Sequence, residues 1–198
     1  MLRSTLLIIC LAVVAFGGVA WAQGDRPQAA CVKQVAMAEV KGGGTPAGRA
    51  IAEYEGVYRM RFKNALVDGT KYVSEDILEI VRYGEDRVYI RTHLEFFNGH
   101  SCGLYGIASY EDGAFLFVKP KPMAGAAPCT LKIKLSKKNV VFVDVDHSCN
   151  RFCGLRGGFD GASFPYKARR TIHYMERLKN SRQYQEAVQE FEEKARAR

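Results

Sequence analysis

The chain has 198 residues, carries 29 Lys and Arg against 21 Asp and Glu, and has a net charge of +8 with 47% hydrophobic residues. That length suits one domain with its own core. The charge would suit nucleic acid, anionic lipid or an acidic glycan, but outside Lys119/Lys121, Lys132/Lys134/Lys137/Lys138 and the C-terminal residues it is scattered, which reads as a solvated surface.

Residues 1–22 have the pattern of a signal peptide: Arg3, an apolar run from Leu6 to Val19, and Ala20-Trp21-Ala22 as a small-x-small cleavage site. A transmembrane anchor is the rival reading, but the run is short and interrupted by Gly17 and Gly18. Cleavage removes 22 of 198 residues and a single charged one, Arg3, so the net charge falls from +8 to +7. No later stretch is apolar and long enough to span a bilayer. A periplasmic or secreted location follows, and export argues against nucleic acid as a partner.

Residues 27–41 place Val32, Val35, Met37 and Val40 at the spacing of a short helix, and 42–48 (GGGTPAG) read as a flexible linker. The expected organisation is a leader over 1–22, a helix and linker over 23–50, a barrel over 51–167 and a helical segment over 168–198. Period-two alternation predicts strands at 56–62, 74–82, 87–97, 103–109, 114–118, 130–135, 140–145 and 162–165. Turn signals separate them, among them Asn98-Gly99 and Glu111-Asp112-Gly113. The segment 119–128, with three of the six prolines, is the one long loop. About eight short strands without intervening helices predict a mainly β fold, an antiparallel up-and-down barrel. Thr171 then caps a helix carrying Ile172, Met175 and Leu178, and Tyr184, Ala187, Val188 and Phe191 mark a second amphipathic segment.

Cys10 leaves with the leader, and in an oxidising compartment Cys102, Cys129, Cys149 and Cys153 are candidates for two disulfides. Four cysteines allow three connectivities, and spacing does not choose among them. Cys102–Cys129 with Cys149–Cys153 is the preferred set, the second closing a tight local loop. Cys31 is left over as an intermolecular partner, a buried thiol or a poor lipidation site. The stretch from His147 to Pro165, with Cys149, Cys153 and four glycines, reads as the clasp of the barrel.

Catalytic chemistry finds little support in the residues. His100-x-Cys102 and His147-x-Cys149 offer zinc ligands, but disulfide formation competes for the thiols. The acid pairs Glu75/Asp76, Glu85/Asp86 and Glu111/Asp112 fall in turns or strand starts, and the glycines of 154–161 lack a P-loop lysine. No catalytic residue, metal or cofactor is expected. Tyr58, Phe62, Phe96, Phe115, Phe117 and Phe142 alternate so as to line a barrel cavity, or simply to fill it.

Gly56-Val57-Tyr58 resembles the Gly-x-aromatic opening of lipocalin-like (calycin) barrels. The series Cys102, Cys129-x-Leu131, Cys149-x-x-x-Cys153-Gly154-x-Arg156-Gly157 and Asp160-Gly161 is similar to a group of exported bacterial barrel proteins, some associated with lysozyme-inhibitor-like modules. The resemblance covers roughly 54–180, including Arg169-Arg170, Tyr174-Met175, Leu178 and Ser181. It implies a non-catalytic exported domain and carries over no functional residue. The expected function is recognition of a small apolar ligand, an envelope component or a protein. Inhibition of a lysozyme-type cell-wall hydrolase is the alternative. Lysozymes are generally basic, so the positive charge of this chain works against that alternative.

Overall fold

A computed structural model describes residues 44–119 and 127–197. The expected leader, the helix expected over 27–41 and Cys31 lie outside the described residues. The first element is one the sequence reading missed. Pro46–Tyr54 is a helix (α1), where a linker was expected to run to residue 48. Thr45 Oγ1 accepts the Gly48 N–H at 3.0 Å and Pro46 sits in the first turn, so the Thr-Pro pair starts a helix rather than continuing a linker.

Nine strands follow: Gly56–Ala65 (β1), Lys71–Arg82 (β2), Arg87–Glu95 (β3), Ser101–Glu111 (β4), Ala114–Lys119 (β5), Cys129–Leu135 (β6), Asn139–Asp144 (β7), Ser163–Pro165 (β8) and Arg169–Arg170 (β9). Each pairs antiparallel with its neighbour in one sheet of order β8-β7-β6-β5-β4-β3-β2-β1-β9. Since β8 and β9 are joined by one 3-10 turn, Tyr166–Ala168, the sheet curls round and meets itself. The barrel is nearly closed, and the mainly β architecture expected from the alternation is the one observed. The ninth strand is new. It holds two pairs, Val57↔Arg170 and Tyr58↔Arg169, too short to leave a period in the sequence. Gly56 makes the approach possible: its φ is +150°, and a Cβ there would fall 2.7 Å from the Arg170 carbonyl oxygen.

The barrel has two ends. At one sit α1 and the turns at 83–86, 112–113 and 136–138. At the other sit the turn at 66–70, the Phe97–Gly99 turn and the long return from Val145 toward β8. The turns confirm their chemistry, since Asn98 (φ 60°), Gly99 (φ 71°), Asp112 (φ 48°) and Gly113 (φ 78°) all take the left-handed backbone that tight hairpins require.

Inward positions form one core: Tyr58, Leu78, Ile80, Ile90, Leu131, Ile133, Phe142 and Phe164 are all buried. Each such side chain contributes roughly 1.5–3 kcal/mol of burial free energy. Rings interlock through it, with Phe142 against Phe159 and Phe164 at 6.4 and 5.8 Å. Gly106 on β4 leaves the space in which the Phe117 ring lies, because a Cβ at that position would come within 2.3 Å of the ring. At the first end, Ile51 and Tyr54 of α1 close the core, and the Tyr58 hydroxyl donates to the Tyr54 carbonyl at 2.9 Å.

Two more helices, Met175–Lys179 (α2) and Arg182–Arg196 (α3), cover the outside of the sheet. They bury a second cluster in which Ile172, Leu178 and Ala187 meet the outward Val57, Val81 and Tyr89. Thr171 does not cap α2. Residues 171–174 are non-helical and α2 begins after Tyr174, whereas Ser181 caps α3 by accepting the Tyr184 N–H. Residues 169–170 are held in the sheet as β9, which moves the helix start downstream.

Candidate functional site

The structure corrects the preferred cysteine pairing. Cys102 bonds Cys153 and Cys129 bonds Cys149, so all four candidates are used but neither expected partner is met. The reason lies in the turn Asn150–Phe152, which aims Cys149 and Cys153 at different strands. Cys153 meets Cys102 in an isolated antiparallel bridge at the start of β4, reinforced by the Gly154 N–H donating to the Ser101 carbonyl at 2.7 Å. Cys149 sits over the start of β6. There the Asp144 carboxylate accepts the Cys149 N–H at 3.0 Å, and Ser148 Oγ accepts the Thr130 N–H at 2.9 Å. Both bonds therefore staple the long return at one end of the barrel.

With those bonds formed, no described cysteine is a thiol. Among the described residues no group of three His, Cys, Asp or Glu could hold a metal. His100 packs on Gly154, and His147 is exposed in the return. The six aromatics singled out by alternation do not share one place. Tyr58, Phe115, Phe117 and Phe142 are buried in the core, Phe96 packs against its edge, and Phe62 lies half-buried further along β1.

A polar layer lies on the inward face near the disulfide end. Asn64 Nδ2 donates to Ser74 Oγ at 2.8 Å and to the Phe96 carbonyl at 2.9 Å, and Thr92 Oγ1 donates to the Ile77 carbonyl at 3.0 Å. Asp76 belongs to the layer and accepts the Glu95 N–H at 2.8 Å. Burial raises its carboxyl above the ordinary 3.8; the Glu95 N–H opposes this, the Glu95 charge adds to it, and His93 opposes it. The native state therefore holds this proton more tightly than the unfolded chain. Its contribution is present below pH 3.8 and is lost as pH rises through the raised value. Asp76→Asn is accordingly expected to be more stable than the wild type at pH 7, with the difference gone by about pH 3, as urea titrations across that range would measure.

A recess of about 350 Å³ lies outside the barrel, between α3 and the outward face of β4 and β5. Ile107, Leu116, Val118 and Phe191 give it apolar walls. The helix is fixed above it by contacts on both sides. Tyr105 donates to Glu186 at 2.6 Å, Lys119 Nζ reaches Glu190 at 2.7 Å, the Phe191 ring meets Tyr83 edge to face, and the Tyr184 ring lies tilted against Tyr89. The Glu186 carboxylate and burial raise the Tyr105 hydroxyl, which keeps it a donor. Arg87 lies over the Phe191 ring at 5.2 Å, its Nη1 3.2 Å from Asp86 and its Nε buried without an acceptor among the described residues. Lys194 also lines the groove and forms no ion pair among the described residues. Glu111 and Glu190 are the acids there, the second already matched to Lys119.

Sequence reasoning placed Phe191 on an apolar helical stripe but missed the groove. Ala114 to Val118 is apolar at every position, the mark of a strand covered on both faces rather than one.

A second recess, about 370 Å³, lies along the β9 seam and is lined by Glu55, Arg169, Arg170 and Met175. Its arginines are engaged with backbone carbonyls, Arg169 with Glu55 at 3.1 Å and Arg170 with Lys167 at 2.8 Å. No described helix is long and apolar enough to cross a membrane. Compared with known proteins, the chain matches no family model, and no curated protein and no solved structure was found similar to it.

Proposed function

We propose that this chain is an exported, non-catalytic binding domain of the periplasm or extracellular space, and that the groove beneath α3 takes a small apolar molecule bearing an acidic head. The observation that carries this reading is the groove itself. It has the size of a small-molecule site, apolar walls, the Arg87 Nε buried without an acceptor among the described residues, and Lys194, which forms no ion pair among them, with Glu111 the one acid of the lining outside an ion pair there. The barrel interior, filled by Tyr58, Phe115 and Phe142, leaves the outside as the place for a ligand. Two disulfides support an oxidising compartment.

A dansylated undecanoic acid, displaced by dodecanoate, is the direct probe. Saturable binding is expected, weakened about tenfold or more by Val118→Arg, which puts a long charged side chain into the groove wall, with the thermal midpoint nearly unchanged. Absence of saturable binding, or equal affinity in Val118→Arg, would overturn the proposal.

A further inference from the structure

The large apolar side chains that the fold leaves exposed are not spread over the surface. Leu66, Val67, Val73, Phe97, Val145 and Leu155 account for all of them among the described residues, and all six lie at the disulfide end of the barrel. Five come from the β1–β2 turn, the β3–β4 turn and the return after β7, and Val73 stands near the start of β2. Leu155 is 96% exposed and Val67 78%, so they contribute almost nothing to the core. Single exposed apolar residues are ordinary on a protein surface, whereas a set gathered at one end marks an interaction site.

The segments bearing them are held rigidly. The Val67 N–H donates to Asn98 Oδ1 at 3.1 Å, linking the first two turns, and Gly99 N–H donates to Tyr72 Oη at 3.0 Å. Cys102–Cys153 and Gly154–Ser101 fix the return against β4, two residues before Leu155. Beneath them the polar layer of Asn64, Ser74 and Asp76 occupies the mouth of the barrel, so the core offers these side chains no alternative apolar place. Fixing exposed apolar side chains in position lowers the ordering cost of docking.

The shape of the end selects among partners. None of the six exposed apolar side chains lines the recess under α3, the one along the β9 seam or the shallow one on α3. This end presents separate projecting side chains, with exposed Lys63, Lys71, Arg151 and Arg156 around them against the exposed acids Asp68, Asp146 and Asp160, the last also accepting the Asp144 N–H. A deformable bilayer admits isolated apolar projections, while its anionic head groups meet the flanking cations. We infer that this end of the barrel is a docking surface for an anionic lipid bilayer, into whose interface Val67, Phe97 and Leu155 insert.

The test must report on the end itself, because the apolar run at Leu6–Val19 could bring the full chain to vesicles by another route. Trp21 is the single tryptophan, so Leu155→Trp in a Trp21→Phe background supplies a local reporter. Vesicles of equal phosphatidylglycerol and phosphatidylcholine, with and without brominated acyl chains, are the probe. The indole at position 155 is expected to shift to the blue and be quenched by the brominated lipid. Adding Val67→Asp and Phe97→Asp should reduce the quenching about tenfold at matched lipid without changing the far-ultraviolet circular dichroism. An unquenched indole on protein that floats with the vesicles would overturn the inference, as would failure to bind, quenching that survives both aspartates, or equal quenching of the indole by brominated vesicles of pure phosphatidylcholine. The reading of the groove is separate, since Val118→Arg should leave this quenching intact.

Discussion

Replacing Cys102 and Cys153 together by alanine is expected to lower the unfolding free energy by about 4 kcal/mol, and replacing Cys129 and Cys149 by about 3 kcal/mol. The first bond closes a separation of 51 residues and the second one of 20, and the entropy removed from the unfolded chain grows with loop length. Against a total stability on the order of 5–15 kcal/mol, loss of both leaves a marginal fold. Urea titration of the two double variants and of the reduced wild type measures all three quantities. Equal losses for the two pairs would show that chain entropy is not the main term. Cys102, Cys129 and Cys149 are buried and Cys153 partly so, and each alanine therefore also removes packing, which works in the same direction.

The second large effect concerns Glu79, a charge buried at 1% exposure on the outward face of β2 beneath the helices. Arg91, its cross-strand partner, donates to it from Nε at 2.5 Å and from Nη2 at 2.9 Å, and the Tyr174 hydroxyl donates to it at 2.5 Å. Glu79→Ala removes the acceptor for all three donors. The expected loss is about 3 kcal/mol, at the lower end for a broken buried pair because Arg91 retains a path to solvent at 31% exposure. Tyr174 immediately precedes α2, so amide exchange in α2 should rise more than exchange in β6 and β7. A uniform rise would mean that Glu79 supports the whole sheet rather than the attachment of the helices.

The barrel was legible because its strands have one wet face or strong turns between them. The segment from Val88 to Leu94 alternates, with Val88, Ile90, Thr92 and Leu94 the buried inward set and Tyr89 the one outward residue there that the helices bury. What escaped has physical reasons. β9 is two residues long, below any period, and its place is set by Gly56 across the seam. α1 begins inside a Gly-rich stretch, where composition masks the Thr45-Pro46 start. Disulfide connectivity depends on where a 3-10 turn aims two side chains, which spacing does not encode. The groove beneath α3 needs both helix and sheet to be in place. The apolar end is the least readable of all, since Val67, Phe97 and Leu155 are distant in sequence and each is unexceptional alone.

The short join from β8 to β9 has a consequence for how the chain reaches this state. Strands β1 to β7 pair as successive neighbours, each contact near in sequence, whereas Val57 pairs with the distant Arg170. Closure is therefore the most non-local event in the fold, and events of that kind are slow. Until residues 163–170 arrive, β1 and β7 each present a row of unpaired backbone groups to any other strand nearby. Neither disulfide shortens that wait, because both lie within residues 102–153. The interval before closure is when a newly made copy is most exposed to its neighbours, and material truncated before residue 163 would remain in it permanently.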